Sequence, residues 1–251
     1  MWRSTIPLNS EHNFLTLCVF CFILFFLVYR IDAIGSAIPL ILSREALAKI
    51  YTAEITWWND SAIAATNPSV TMPAQRITLV LESTSGATNY IATQAFSKFY
   101  SNFTQTMEVS TGPKWPKTKY YNYLISSGTT GVASTVIAND GSIAIIAQPI
   151  ANALKINVAS MINKAGNVVR PTSESVTFAA VELGTSLTVE STDSADLTDC
   201  SSSSGWPIAS FSYLLFDYAN SRGTCHGQYE IKYRTQKEFN TLVTIVKFIC
   251  C

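Results

Sequence analysis

The first feature of the chain is an apolar segment near its beginning. Residues 14–29 carry no charge, and most of their side chains are aliphatic or aromatic. This run is slightly shorter than the roughly 20 apolar residues that cross a bilayer as a helix. It is slightly longer than the apolar region of a usual signal peptide. We therefore expect residues 1–35 to hold a signal peptide or a signal-anchor transmembrane helix, with a buried helix of a soluble domain as the alternative. In the first two cases the protein is secreted or a single-pass membrane protein.

Beyond this segment, helical and strand patterns alternate along the chain. Residues 43–51 place apolar side chains at helical spacing behind Ser43, which is suited to cap a helix. Residues 77–81 form a largely β-branched run that predicts a buried strand. Further predicted helices lie at 87–100, 130–138, 176–183 and 238–248, and further predicted strands at 142–146, 156–161 and 207–216. Residues 191–205 are rich in serine and predict an exposed loop. The alternation indicates a layered α/β fold.

Composition excludes several classes of function. Lys+Arg and Asp+Glu number 17 each, so no basic field would attract nucleic acid. The only two histidines, His12 and His226, cannot build a His-rich metal site. No spacing of carboxylates compels an enzymatic reading. We therefore expect a protein without catalytic residues, metal or cofactor.

Two short turns rich in Ser, Thr and Gly are the candidate binding loops. The first, residues 83–88 (STSGAT), links a predicted strand to a helix, and the second, residues 126–131 (SSGTTG), also precedes a helix. Such turns direct backbone N–H groups and hydroxyls to one point, where the helix dipole favours an anion. The alternative is that Ser85 merely caps its helix. The predicted ligand contacts are Ser83, Ser85, Gly86, Ala87 and Thr88, with Gly128, Thr129, Thr130 and Gly131 in the second loop.

Cysteines and sequons suit an oxidising compartment. Cys200 and Cys225 lie on either side of the predicted 207–216 strand, and we expect them to form a disulfide. Asn59 and Asn102 begin N-x-S/T sequons and are the expected glycosylation sites.

Several stretches together resemble the phosphate-binding protein of bacterial ABC phosphate importers, which is PstS-like and has the type II periplasmic-binding-protein fold. They run in family order between about residues 38 and 216: LSREALAKIYTAEITWWNDSAIAATNPSVTMPAQRITLV, STSGAT, SSGTTGVASTVIANDGSIAII, INKAGNVVRPTSESV and WPIASFSYLLF. The resemblance implies an α/β lobe with a mixed sheet flanked by helices. It also implies phosphate or a related oxyanion as the ligand.

The anion loop departs from the family pattern. That pattern reads Arg-x-Asp-Gly-Ser-Gly-Thr, and alignment on Ser85-Gly86 places Leu81 at the arginine, Ser83 at the aspartate and Ala87 at the threonine. Loss of the arginine removes a charged contact, and loss of the threonine removes a hydroxyl donor. The resemblance therefore implies weak phosphate binding, if any.

The resemblance also implies a domain organisation. Residues 36–190 correspond to the family's second lobe, 191–205 to the Ser-rich loop, and 206–251 to a return strand with part of the first lobe. The other lobe of the pair is then incomplete, so either a partner chain completes it or the product is truncated. Two functions stay open. One is a membrane-anchored or secreted solute-binding domain, and the other is a membrane-tethered interaction or receptor ectodomain that has lost phosphate binding.

Overall fold

A computed structural model describes residues 14–35, 38–116, 122–183 and 196–217 of the chain. The described residues within Phe22–Ser186 and Asp196–Phe211 form a first compact unit, and residues 14–21 and 212–217 belong to a second. The first unit contains both candidate loops. It also begins well before residue 36, where the predicted lobe starts.

The apolar segment near the start of the chain is a β-strand. β1 (Phe14–Arg30) pairs antiparallel with β5 (Ser142–Ala147), with Leu27 opposite Ile145. On its other side β1 pairs antiparallel with β6 (Asn157–Val158). Every side chain of residues 24–29 is at most 4% exposed. The predicted N-terminal hydrophobic helix is therefore wrong, and residues 24–29 lie in the protein core.

Hydrophobicity alone does not separate these two structures. A strand buried on both faces reads as a continuous apolar run, as does a membrane helix. Many residues of this run are of types that favour strands, with five Phe, two Val, one Ile and one Tyr. Trp206 also fastens the strand, because its indole Nε1 donates to the Phe25 carbonyl at 3.0 Å. Within the described ranges, the structure contains no helix that is long and apolar enough to span a membrane.

Within the described residues, the principal sheet has six strands that run in mixed directions. β4 (Tyr123–Ser126), β3 (Thr78–Glu82), β5, β1 and β6 follow one another across it, and β9 (Ala209–Asp217) also pairs with β1. β3 is parallel to both β4 and β5, whereas β1 is antiparallel to both of its neighbours on this path. The predicted α/β fold with a mixed sheet and flanking helices is confirmed.

The helices agree with the periodicity of the sequence. Those in the described ranges are α1 (Arg44–Tyr51), α2 (Ser61–Ala64), α3 (Ala87–Phe99), α4 (Phe103–Thr106), α5 (Gly128–Ala138), α6 (Gln148–Leu154) and α7 (Ser173–Leu183), with a 3-10 turn at Asp32–Ile34. Ser43 caps α1 as predicted, because its Oγ accepts from the Ala46 N–H at 3.1 Å. The predicted helix at 238–248 lies outside the described residues.

The described residues also form a second, smaller sheet of three strands. β2 (Ile41–Ser43) is parallel to β7 (Ser160–Ile162), which is antiparallel to β8 (Val168–Val169). The predicted strand at 156–161 is thus two short strands, β6 and β7, one in each sheet.

The described end of the Ser-rich loop is partly buried. Residues 197–199 are at most 7% exposed. The Arg44 guanidinium donates to the Asp199 carboxylate at 2.7 Å, and the Lys98 Nζ donates to the Thr198 carbonyl at 2.8 Å. The prediction of an exposed loop is wrong here, because these partners on α1 and α3 compensate the burial of polar groups.

Candidate functional site

The two candidate loops follow adjacent parallel strands. β3 pairs with β4 so that Glu82 lies opposite Ser126. The N–H of Ser83 donates to the carbonyl of Ser126 at 2.9 Å. This bond joins the first residue after β3 to the last residue of β4. The structure thus brings residues 83–88 and 126–131 to the same edge of the sheet.

The chain leaves this edge in two directions. From β3 it runs through α3 to β4, and from β4 it returns through α5 to β5 on the other side of β3. Because such crossovers are right-handed, α3 and α5 lie on opposite faces of the sheet. In agreement, α3 packs on α1 whereas α5 packs on α6. Adjacent parallel strands with this arrangement open a crevice at their carboxyl ends, where open α/β sheets bind ligands.

α3 begins without a side-chain cap. Gly86 is its N-cap residue, and no side chain of the described residues accepts a hydrogen bond from the N–H groups of Ala87, Thr88 or Asn89. The N–H groups of Ala87, Thr88 and Asn89 open the helix and have no acceptor within it. The alternative that Ser85 caps α3 is therefore wrong. These donors, with the helix dipole, favour an anion at the start of α3.

The side chains of the first loop leave this helix start open. Ser83, Ser85 and Ala87 are exposed, and Thr88 is half-buried. The hydroxyls of Ser83, Ser85 and Thr88 bond to no other residue of the described ranges. A Cβ built on Gly86 would meet no atom within 4 Å. The loop therefore offers open space, free hydroxyls and backbone donors together.

A third segment contacts this loop, and sequence reasoning missed it. The Gly86 N–H donates to the Thr111 carbonyl at 2.9 Å, so this donor is not available to a ligand. A Cβ built on Gly112 would lie 2.6 Å from Ser85 Oγ, so Ser85 lies directly against this glycine. The Ser110 N–H donates to Thr93 Oγ1 at 3.1 Å, which holds the segment on α3. Its Ser-Thr-Gly composition, shared with both loops, was the only signal in the sequence.

The second loop has a similar helix start. Ser127 is the N-cap residue of α5, again without a side-chain hydrogen bond. Gly128 has φ +67°, a left-handed conformation that glycine adopts at little cost. Thr129 and Gly131 are half-buried, and Thr130 is exposed. The predicted contacts of this loop therefore surround a second uncapped helix start at the same edge.

An internal hydrogen-bond chain holds the base of the second loop. Ser126 Oγ and Thr135 Oγ1 are 2.7 Å apart, and Thr135 Oγ1 donates to the Gly131 carbonyl at 2.9 Å. The Ser126 hydroxyl is thus committed to the protein and is not a ligand group.

Charges at this edge do not favour strong anion binding. Neither loop contains Lys or Arg. Leu81, which the resemblance aligns with arginine, is 3% exposed. Glu82 accepts from Thr84 Oγ1 at 3.0 Å, and its negative charge opposes the approach of an anion.

The other predicted sites are Cys200 and the two sequon asparagines, none of which belongs to either loop. Cys200 is half-buried, and burial, followed by the charge of Glu182, raises the pKa of its thiol to about 11. Its expected disulfide partner, Cys225, lies outside the described residues. Asn59 and Asn102 are exposed. In the part of the chain that the structure describes, no three His, Cys, Asp or Glu side chains are grouped to hold a metal ion.

Comparison with known sequences gives the class of protein. A profile of the PBP superfamily domain matches residues 17–200, well over half of the chain. The chain therefore belongs to the PBP superfamily. The match begins within β1, which agrees with a strand that is part of the domain.

Within this superfamily the chain is related to PstS. It is 31% identical to the phosphate-binding protein PstS of Pasteurella multocida over 182 residues, which cover 69% of this chain and 48% of that protein. It is 27% identical to PstS of Xylella fastidiosa (strain 9a5c) over 195 residues, which cover 73% and 52% respectively. The chain is thus PstS-like, but it spans about half the length of the curated relatives it matches. The expectation of a non-enzyme agrees with these relatives, which are named as binding proteins.

Solved structures share the fold. The periplasmic phosphate-binding protein PfluDING superposes with a TM-score of 0.58 at 19% identity, covering 81% of this chain and 58% of that one. A human phosphate-binding apolipoprotein gives 0.56 at 16% identity, covering 83% and 61%.

A relative of another kind comes from a virus. A candidate serine/threonine-protein kinase/receptor of Acanthamoeba polyphaga mimivirus is 26% identical over 202 residues. The match covers 70% of this chain but 11% of the viral protein. A domain of this type therefore also occurs within a much larger chain.

Proposed function

We propose that this chain is a PstS-like solute-binding domain that binds phosphate or a related small oxyanion weakly, at residues 83–88 and 126–131. The observation that carries the proposal is the bond between Ser83 and Ser126, which joins two loops with uncapped helix starts at one crevice. The PstS relatives supply the ligand class.

We expect this binding to be weak, and the residue types of the two loops support that expectation. Its donors are backbone N–H groups and the hydroxyls of Ser83, Ser85 and Thr88, without a cation in either loop. A charged hydrogen bond contributes about 1.5–3 kcal/mol. Because Leu81 stands where the family pattern has arginine, we expect phosphate binding to be at least about tenfold weaker than with that arginine. We expect a dissociation constant of roughly 1 mM or weaker, which corresponds to about −4 kcal/mol.

Phosphate titration of matched variants tests the proposal. Ala87→Thr restores the hydroxyl of the family pattern at an exposed position. Ala62→Thr makes the same change at an exposed position in the first turn of α2. One added hydrogen bond of about 0.5–1.5 kcal/mol predicts phosphate binding tighter by about two- to tenfold in Ala87→Thr. Ala62→Thr and the wild type should give the same affinity.

Two calorimetric results would contradict this function. One is the absence of saturable phosphate binding up to tens of millimolar. The other is an equal affinity of Ala87→Thr and the wild type.

A second candidate function is an interaction or receptor domain without phosphate binding. The viral kinase/receptor relative favours it, because there the homologous region is a small part of a longer chain. Failure of the phosphate titration, with the fold intact by circular dichroism, would support this alternative.

We further propose that the protein functions outside the cytosol, as the periplasmic structural neighbour suggests. Residues 36–190 remain our proposal for the family's second lobe, and a partner chain that completes the other lobe is part of the same proposal. Tethering through residues 14–29 is not part of it, because residues 24–29 are buried in the sheet. We expect the tagged full chain to be secreted with glycans on Asn59 and Asn102. The test is to recover the protein from the medium and to measure whether glycosidase treatment lowers its mass. Retention in the cytosol without glycans would contradict export.

A further inference from the structure

A cavity that is open to solvent lies apart from the two loops, beside β1 and β6. Its volume is about 610 Å³, within the range of small-molecule sites. Its lining residues are Phe26, Tyr29, Pro39, Gln148, Asn152, Asn157, Val158, Arg170, Pro171, Thr172 and Ser173. None of them belongs to residues 83–88 or 126–131. The cavity is therefore a separate candidate site.

The carboxamide side chains that line this cavity differ from most others in the described structure because they have no hydrogen-bond partner in it. Among the described residues, four carboxamide side chains make no hydrogen bond within the protein: Asn59, Gln148, Asn152 and Asn157. Three of the four line the cavity. Gln148 and Asn152 are four residues apart on α6, so they share one face of that helix. Each carboxamide both donates and accepts, which suits the hydroxyl groups of a ligand.

The charge of the cavity is positive. Arg170 is exposed, and its guanidinium makes no ion pair with any residue of the described ranges. In contrast, Arg30 pairs with Asp32 and Arg44 pairs with Asp199. Among the described residues, no Asp or Glu lines the cavity. A guanidinium with all its donors available favours a carboxylate or phosphate group.

The rim that holds Arg170 is locally fixed. The Thr172 N–H donates to Ser175 Oγ at 3.0 Å, and the Ser175 N–H donates to Thr172 Oγ1 at 3.1 Å. Ser175 Oγ also donates to the Arg170 carbonyl at 2.7 Å. These reciprocal bonds at the start of α7 fix the backbone of residues 170–175. Arg170 is therefore presented from a preorganised turn.

We infer that this cavity binds a small hydroxylated organic anion, of the sugar-acid or sugar-phosphate class, with Arg170 on the acidic group and Gln148, Asn152 and Asn157 on the hydroxyls. This site is additional to the proposed oxyanion site and does not depend on it. The acidic group is either a carboxylate or a phosphate, and both place the same charge on Arg170.

Calorimetric titration of the full chain with gluconate, glucose 6-phosphate and glucose tests this inference. Saturable binding is expected for at least one of the two anions, and the tighter of them identifies the acidic group. Glucose should bind at least about tenfold more weakly, because it lacks the charge. Arg170→Gln should weaken binding of the anion by about tenfold or more. Lys164→Gln, which removes an exposed cation outside the cavity, should leave the affinity unchanged.

Double-site controls separate this inference from the phosphate proposal. Asn157→Ala should weaken the binding of gluconate or glucose 6-phosphate without changing the affinity for phosphate. Ala87→Thr should tighten phosphate binding without changing the affinity for either sugar anion. The inference is overturned if neither sugar anion binds the wild type, or if Arg170→Gln and the wild type bind them equally. It is also overturned if their binding follows Ala87→Thr rather than Arg170→Gln, since the ligand would then occupy the loops.

Discussion

The hydrogen bond from the Ser83 N–H to the Ser126 carbonyl, 2.9 Å long, extends the parallel ladder of β3 and β4 by one residue beyond Glu82. It fixes the separation of two loops that are more than forty positions apart in sequence. The relative position of the loops is therefore set by strand register. Leu79 and Val80, both 2% exposed, belong to the buried part of β3 that specifies this register.

The two loop glycines should respond differently to a methyl group. Gly128 has φ +67°, so Gly128→Ala is expected to cost about 1–2 kcal/mol of folding free energy. Gly86 has an extended φ of −169° and open space around its Cβ position, so Gly86→Ala should cost less than about 1 kcal/mol. Urea denaturation of both variants measures the difference. Equal losses would show that the backbone at residue 128 is not left-handed.

The burial of β1 predicts a large effect of truncating Leu27. This side chain is 0% exposed, so Leu27→Ala should lower the free energy of unfolding by about 2–5 kcal/mol. Leu154→Ala is the matched control, because Leu154 is 42% exposed and should cost well under half as much. If residues 24–29 formed a membrane anchor instead, Leu27→Ala would leave the stability of the folded domain unchanged.

Cys200 should react slowly with thiol reagents near neutral pH. The reactive species is the thiolate, and the pKa of this thiol is raised to about 11 by burial and then by Glu182. Under reducing conditions, alkylation of Cys200 by iodoacetamide, followed by peptide mass mapping, should therefore keep increasing with pH up to about pH 11 instead of levelling off near the ordinary thiol pKa of 9.0. Glu182→Gln should shift this rise to lower pH. Rapid alkylation at pH 7.5 in the native protein would contradict the burial of Cys200.

The same mapping without reductant addresses the expected Cys200–Cys225 disulfide. Protein recovered from the secretory route should yield this linked pair of peptides. Free thiols at both positions would show that the pairing is wrong.

Local patterns predicted the elements of this protein well. Ser43 caps α1 as its position before an apolar helical pattern suggested, and β3 and β5 lie within one residue of the predicted strands. The sequence of residues 14–29 does not distinguish a strand from a membrane helix, because burial by neighbouring strands and burial by lipid require the same apolar residues. The distinction lies in β5 and β6, which are more than 110 positions away.

The candidate site shows the same limit. Both loops were visible in the sequence because glycine and hydroxyl residues mark helix starts. The contact of Gly112 with Ser85 and the bond from Gly86 to Thr111 were not, because they depend on how the chain returns after α4. The burial of 197–199 likewise depends on Arg44 and Lys98, whose pairing with this segment no local pattern reveals.

Restoring the arginine of the family pattern is the most direct test of the anion loop. Leu81 is 3% exposed but lies one residue before the end of β3, opposite Ile125, which is 62% exposed on the edge strand. Long charged side chains can bury their stems and keep their charge at the surface, so we expect an arginine at residue 81 to extend past the exposed Ile125. We expect Leu81→Arg to tighten phosphate binding by about tenfold or more, because a charged hydrogen bond contributes about 1.5–3 kcal/mol. The same change should lower stability, since the wild-type side chain is in the core.

Leu81→Met is the matched control for this measurement. It keeps a long apolar stem without the charge, so it should cost under about 1.5 kcal/mol of stability and leave phosphate affinity unchanged. Phosphate titration and urea denaturation of the wild type and both variants give the complete comparison. Equal phosphate affinity in all three folded proteins would mean that the crevice beside residues 83–88 is not an anion site. Micromolar binding by the wild type would instead mean that another cation of the chain replaces the missing arginine.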